Sequence, residues 1–337
     1  MKAAVFKKLG QPLVVEEITE PSPASDEVIV KIGRCGICGS DLHMTEDPVF
    51  GVASGTVLGH EYAGDVVETG SQVRNLKPGD LITVSPLRGC GSCPTCLAGQ
   101  PAWCTAMQLQ SGGYAEYSAV TERQCVKLPA SINLEDGALV EPLAVALHGL
   151  IQANMSPGAR VLVLGAGPIG LGTAFWARRF GASHVVVSDL NVWQESRAYE
   201  MGATAFLARS DRLVDSVNEV IGGPPDIVFE CVGKPGVIAQ AIDHVRIRGT
   251  VVVLGLCTLP DSFIPFTAVS KEIRLQMSAF FDFREFCTAV DVLEADRVQP
   301  HALITGTVSL DEAPAAFEEL KQRTTQCKVL INPAAQG

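Results

Sequence analysis

Four cysteines fall within fifteen positions: Cys90, Cys93, Cys96 and Cys104 in GCGSCPTCLAGQPAWC, separated by two, two and seven residues. Four thiolates on one short lobe suit tetrahedral zinc, and a site closed by four protein ligands is structural rather than catalytic. An iron–sulfur cluster also takes four thiolates, and metal-free surface cysteines are the plainest alternative. A second set is dispersed: Cys38 in GICGSDLH, His60 beside Glu61 in GHEYAG, and Glu141 in VEPLAVALH. One cysteine, one histidine and one carboxylate make a three-ligand zinc set with a position left open for water or substrate. Taken singly, each reads as a packed thiol or a satisfied core group, so the argument rests on their joint occurrence. Cys35 and Cys38 spell CxxC, but no thioredoxin-like pattern surrounds them, and Cys35 is expected to be a packed thiol.

Gly165-Ala166-Gly167-Pro168-Ile169-Gly170 is GxGxxG placed after the apolar run ARVLVL and opening a helical pattern. Gly165 permits the tight turn, Gly167 lets backbone approach a pyrophosphate, and Gly170 allows close helix–strand packing; Pro168 and Ile169 open the helix. The helix N-terminus then offers free N–H groups and a positive dipole to phosphates. Asp189 ends the next apolar run, 19 residues past Gly170, where an acid hydrogen-bonds ribose hydroxyls. A carboxylate there repels a 2′-phosphate, so the expected cofactor is NAD rather than NADP.

These residues need elements to hold them. Up to about residue 140 the chain reads as short β-branched runs punctuated by Gly and Pro, with Pro78-Gly79-Asp80 as a turn. LEDGALVEPLAVALHGLIQA then carries helical spacing, and from Ala159 strands and helices alternate, which predicts a mostly parallel sheet covered on both faces. The tail predicts a helix over 282–296, a strand near Ile304, a helix over 312–322 and a strand near Val329.

Composition closes off other classes. Lys and Arg number 26 against 37 Asp and Glu, a net charge of −11 without any basic block, which argues against nucleic acid. The uncharged run Val161–Ala177 is 17 residues long and glycine-rich, poorly suited to spanning a bilayer. The N-terminal MKAAVFKKLG lacks the apolar stretch of a signal peptide, and eleven cysteines, an odd number, do not suggest a disulfide scaffold. A cytoplasmic address is expected.

GICGSDLH, GHEYAG, the four-cysteine lobe, EPLAVALH and GAGPIG, in this order, resemble the zinc-dependent medium-chain dehydrogenases/reductases, over nearly the whole chain. Within that superfamily the sequence is most similar to the sorbitol/polyol and butanediol dehydrogenase branch. The resemblance implies a GroES-like β-barrel catalytic domain (1–143 and 279–337, with a structural-zinc lobe at 88–106), interrupted by a Rossmann NAD-binding domain (144–278), and an active site in the cleft between them. It implies two zinc ions per chain: a catalytic one on Cys38, His60 and Glu141, with Glu61 adjacent or alternating with water, and a structural one on the four cysteines. Ser40 matches the hydroxyl that meets the substrate oxygen, and His43 the outer end of a proton relay. The implied reaction is reversible oxidation of a secondary alcohol to a ketone by hydride transfer to NAD, with a polyol, butanediol or threonine-type substrate, or a bulky cyclic (terpenoid) alcohol, as alternatives. A homodimer or homotetramer is implied by an edge strand near Lys271–Met277 that pairs with its copy. One departure stands out: only seven residues separate Cys104 from Gly112, a short connection that should reshape the substrate rim near Phe50, Trp103, Leu109 and Phe280. A zinc-free quinone reductase on the same scaffold, or a binding protein that has lost activity, would not need both metal sets.

Overall fold

The computed structural model describes residues 1–296, 300–322 and 325–335. Two units are distinguished: Met1–Glu141 with Phe281–Gly337, and Pro142–Phe280.

The first unit opens with β1 (Lys2–Val5) and β2 (Val14–Glu17), an antiparallel pair. Then come β3 (Glu27–Gly36), α1 (Gly39–Met44), β4 (Glu61–Thr69) and β5 (Leu81–Val84). β3 is largely buried along EVIVKIGRCG, and two register shifts against β4 bend the pair locally. Gly79, at φ 92°, makes the predicted turn into β5, with Asp80 N–H bonded to the Lys77 carbonyl. A small lobe follows, made of β6 (Leu87–Arg88), α2 (Pro94–Leu97) and β7 (Gln108–Leu109), and then β8 (Tyr117–Thr121) and β9 (Cys125–Lys127). The division between units falls inside α3 (Leu134–Ala153).

In the second unit β10 (Arg160–Leu164), α4 (Pro168–Arg179), β11 (His184–Asp189), α5 (Glu195–Glu200), β12 (Ala205–Ala208) and α6 (Leu213–Ile221) alternate. They are followed by β13 (Ile227–Glu230), α7 (Val237–His244), β14 (Thr250–Val253), α8 (Pro265–Ser270) and β15 (Arg274–Met277). All six strands are parallel, in the order β12-β11-β10-β13-β14-β15. The central strands are unbroken apolar runs because helices cover both faces; Leu162, Val186, Val228 and Val251 are all fully buried.

The chain then returns to the first unit through α9 (Phe283–Asp296), β16 (Ile304–Ser309), α10 (Ala313–Lys321) and β17 (Lys328–Asn332). β17 lies antiparallel to β3 and completes a sheet of order β16-β17-β3-β4-β5-β9, with β8 also on β3. Val28, Val30, Ile32, Ile82, Val84, Tyr62 and Phe317 form its core. Among the described residues, no helix is long and apolar enough to cross a membrane.

Candidate active site

In the lobe, the sulfurs of Cys90, Cys93, Cys96 and Cys104 all lie within 4.8 Å of one another. The backbone is wrapped so that N–H groups point at sulfur: Cys93 N donates to Cys90 Sγ at 3.3 Å, and Cys90 N to Cys104 Sγ at 3.4 Å. The Ser92 backbone N–H, with its hydroxyl and the Cys93 N–H, pulls the Cys90 thiol down to about 5, whereas burial pushes Cys96 up to about 11. Four sulfurs this close, with N–H donors ready to stabilise thiolate charge, could hold a metal ion in the manner of a closed zinc site.

The second set assembles where β3, α1 and β4 meet. Cys38 caps α1, and its N–H reaches Asp41 Oδ2 at 3.3 Å. His60 and Glu61 lead into β4. Donor atoms of Cys38, His60 and Glu61 all lie within 4.8 Å of one another. Glu141, on α3, stands outside that group. It is nevertheless buried, and it feels the same charges: burial pushes its carboxyl up to about 7, Glu61 adds to this, and His60 and Lys328 oppose it. Ser40 Oγ sits 3.2 Å from Cys38 Sγ, and His43 is exposed three residues further along α1.

The surroundings hold three residues that motif reading passed over. Asp41, fully buried, lies 3.2 Å from His60 Nδ1, in ion-pair range though out of line for a hydrogen bond. Its other oxygen accepts the Tyr114 hydroxyl at 2.6 Å. With Nδ1 turned to Asp41, Nε2 is the His60 nitrogen left for a metal. Lys328, also buried, donates to both oxygens of Glu61 and to the Ile37 carbonyl. Gly36 makes room for this: a Cβ there would fall onto Glu61 Oε2. Cys35 is a fully buried free thiol, raised by burial and by Asp41 and Glu61.

The nucleotide turn follows β10. Gly165 holds φ 100°, Gly167 caps α4, Pro168 and Ile169 start that helix, and a Cβ at Gly170 would fall onto the Gly165 carbonyl oxygen. Asp189 closes β11; its Oδ2 accepts the Ala166 N–H at 2.6 Å and its Oδ1 the Asn191 N–H at 2.8 Å. The acid is thus fastened beside the glycine turn, and each carboxylate oxygen keeps a further lone pair for a ribose hydroxyl.

Comparison with known proteins agrees with this chemistry. Residues 24–130 match the Alcohol dehydrogenase GroES-like domain family and residues 168–295 the Zinc-binding dehydrogenase family. D-xylulose reductase A of Aspergillus niger is 34% identical over 321 residues, covering 91% of this chain and 88% of that protein. Sorbitol dehydrogenase of Ovis aries is 33% identical over 321 residues, covering 92% and 90%. The chain belongs to the zinc-dependent medium-chain dehydrogenases/reductases. Among solved members, 2R,3R-butanediol dehydrogenase from Bacillus subtilis superposes with a TM-score of 0.88 at 29% identity, covering 98% and 99% of the two chains. The parallel six-stranded sheet is the Rossmann unit of this medium-chain dehydrogenase, and the β17-to-β9 sheet belongs to its GroES-like unit. The protein is an oxidoreductase of alcohol CH–OH groups that uses zinc and NAD.

The electrostatics of the second donor set fit a cation. Burial works against charge on the His60 imidazole, yet Asp41 and Cys38 outweigh it and hold the ring well above its ordinary value. The negative charge of Asp41 and Cys38 that raises the ring would equally favour a divalent ion between these side chains.

Proposed function

We propose that Cys38, His60 and Glu141, with Glu61 beside them, hold the catalytic zinc of a secondary-alcohol dehydrogenase, and that Cys90, Cys93, Cys96 and Cys104 hold a structural zinc. The observation that carries this reading is the convergence of Cys38, His60 and Glu61 donor atoms within 4.8 Å inside a buried, acid-backed site. When bound, zinc supplies the Lewis acidity that lowers the pKa of an alcohol hydroxyl, and NAD the hydride acceptor. Ser40 Oγ, beside Cys38, would accept the proton that the hydroxyl releases while giving up its own, and exposed His43 would pass a proton on towards water. Asp41 fixes the His60 ring, and Lys328 holds the Glu61 carboxylate against β3 and β17. Gly167, Ile169 and Gly170 present backbone N–H groups to the pyrophosphate, Gly165 makes the turn with its own N–H on the Ser188 carbonyl, Pro168 opens the helix, and Asp189 takes the ribose hydroxyls.

Relatives named for xylulose, sorbitol and butanediol support a polyol-type substrate, a carbinol flanked by a second hydroxyl. Initial rates of NAD reduction across polyols, acyclic secondary alcohols and cyclic alcohols test this. The reading predicts the highest kcat/KM among the polyols; preference for a cyclic alcohol would overturn the substrate, and silence on every alcohol the enzyme.

The assembly we propose is a homodimer or homotetramer in the cytoplasm. Among the described residues β15 pairs only with β14, so its outer edge is open, and Ile264, Phe266, Val269 and Met277 are exposed on or near it. A second copy is the natural cover for such an edge. Among the described residues the cysteines form no disulfide, in keeping with a reducing compartment.

A further inference from the structure

A cavity of about 380 Å³ opens at the end of the Rossmann sheet opposite the glycine turn. Its walls come from the segment after α3 and from the starts of β13, β14 and β15, whereas Gly165–Gly170 follows the far end of β10. Dinucleotides bind at the carboxyl ends of parallel strands, so this cavity is not part of the cofactor site.

Its chemistry runs against the rest of the molecule. In a chain of net charge −11, Arg246, Arg248 and Arg274 all line the cavity. The one carboxylate on the wall, Asp226, is already engaged: Arg246 Nε stands 2.6 Å from Oδ1, and Oδ2 accepts the Arg160 N–H at 2.8 Å with Arg160 Nε at 3.6 Å. Arg248 Nε meets Glu272 at 3.0 Å, with both side chains largely exposed. Arg274 has no ion-pair partner among the described residues. Three arginines line the cavity against one carboxylate, and with Arg160 and Glu272 just behind the wall four arginines meet two, which leaves a local positive excess.

The backbone adds a second, independent sign. Arg248 holds φ 57° and its partner Glu272 φ 48°, in the left-handed region that glycine enters freely and other residues do not. Arg248 directly precedes Gly249, so a second glycine would make the turn with less strain. An arginine held there against its backbone preference stands on the cavity wall, and strain of this kind gathers at ligand sites.

We propose that this cavity binds a small organic phosphate monoester. Guanidinium forks match phosphate oxygens in geometry and charge, and Arg248 and Arg274 are placed to receive the phosphoryl group. Ser156, Thr250 and Asn154, also on the wall, offer hydroxyl and amide partners to the organic part. The volume suits a sugar-phosphate-sized molecule.

The test is isothermal titration of the zinc-loaded, full-length protein at low ionic strength with NADH saturating, so that the dinucleotide site is filled and no hydroxyl can be oxidised. Inorganic phosphate and glucose 6-phosphate are the probes, and glucose is the control. Saturable binding of both phosphates and none of glucose is expected. Arg274→Ala and Arg248→Gly should each weaken it at least tenfold, the latter while holding or raising the melting temperature because glycine suits that φ. No saturable heat in the wild-type protein, equal affinity in both variants, or phosphate binding that competes with NAD would overturn the proposal.

Discussion

Lys328 and Glu61 form an ion pair in which both side chains are only 1% exposed, with Nζ 2.6 and 2.7 Å from the two carboxylate oxygens. Burial alone would press the Lys328 ammonium down; Glu61 and Cys38 opposite hold it above its ordinary value. The pair ties β17 to the residue after His60, so the carboxylate grouped with Cys38 and His60 is positioned by a lysine 267 residues away in sequence.

Breaking such a pair on one side leaves an uncompensated buried charge. Lys328→Met should therefore cost the metal-stripped protein about 3–5 kcal/mol in urea denaturation, and adding Glu61→Gln should return most of it. Equal stability of Lys328→Met and wild type would show that the pair carries no net weight.

Asp41 touches no substrate in this account; it orients His60. Asp41→Asn keeps the size and loses the charge, and should lower the affinity of one zinc site by about 10–100-fold while the four-cysteine site keeps its metal. Competition with a graded chelator reads this directly, and unchanged affinity would assign Asp41 to packing alone.

Asp189 is fastened by Ala166 N–H and Asn191 N–H, so its replacement removes an acceptor already in place. Asp189→Ser should raise the Kd for NADH more than tenfold and narrow the preference over NADPH, measured by fluorescence titration. A preference for NADPH in the wild-type protein would contradict the role given to this carboxylate.

His244, at the end of α7, is 4% exposed, and its Nδ1 lacks a hydrogen bond. Burial pulls its pKa down to about 4; Asp243 opposes the shift and Lys271 adds to it. Above pH 6.5 the ring is neutral whether the chain is folded or not. Below that the unfolded chain binds a proton that the native ring refuses until about pH 4, so stability falls with pH across this window. His244→Gln should flatten that slope, shrinking the difference in unfolding free energy between pH 7 and 4.5 by about 2 kcal/mol. An identical slope in the two proteins would place the acid sensitivity elsewhere.

Much of this was legible from spacing. Helix α3 occupies Leu134–Ala153, the stretch that carries helical periodicity, and Asp189 ends β11, where the interval from Gly170 puts an acid. Local motifs encode these because the turn and the strand that follows are near neighbours in the chain. β12 was not legible: four residues at a sheet edge, AFLA, carry too little pattern to stand out from a loop. Lys328, Asp41 and Tyr114 were missed for another reason. Each works through a partner distant in sequence, and only the packing of β17 on β3, or of the Gly112–Tyr114 turn near His60, brings them in. One signal was available, a lone lysine in the apolar run CKVLIN, which has no reason to be buried unless an acid meets it.

Zinc content per chain tests the central claim most directly. By elemental analysis, the wild-type protein should carry two zinc ions; His60→Ala should keep one, remain folded and lose NAD-linked alcohol oxidation. Cys93→Ala should instead lose the other ion and a substantial part of its melting temperature. Two zinc ions retained in His60→Ala, or alcohol oxidation at the wild-type rate in metal-free protein, would contradict the account.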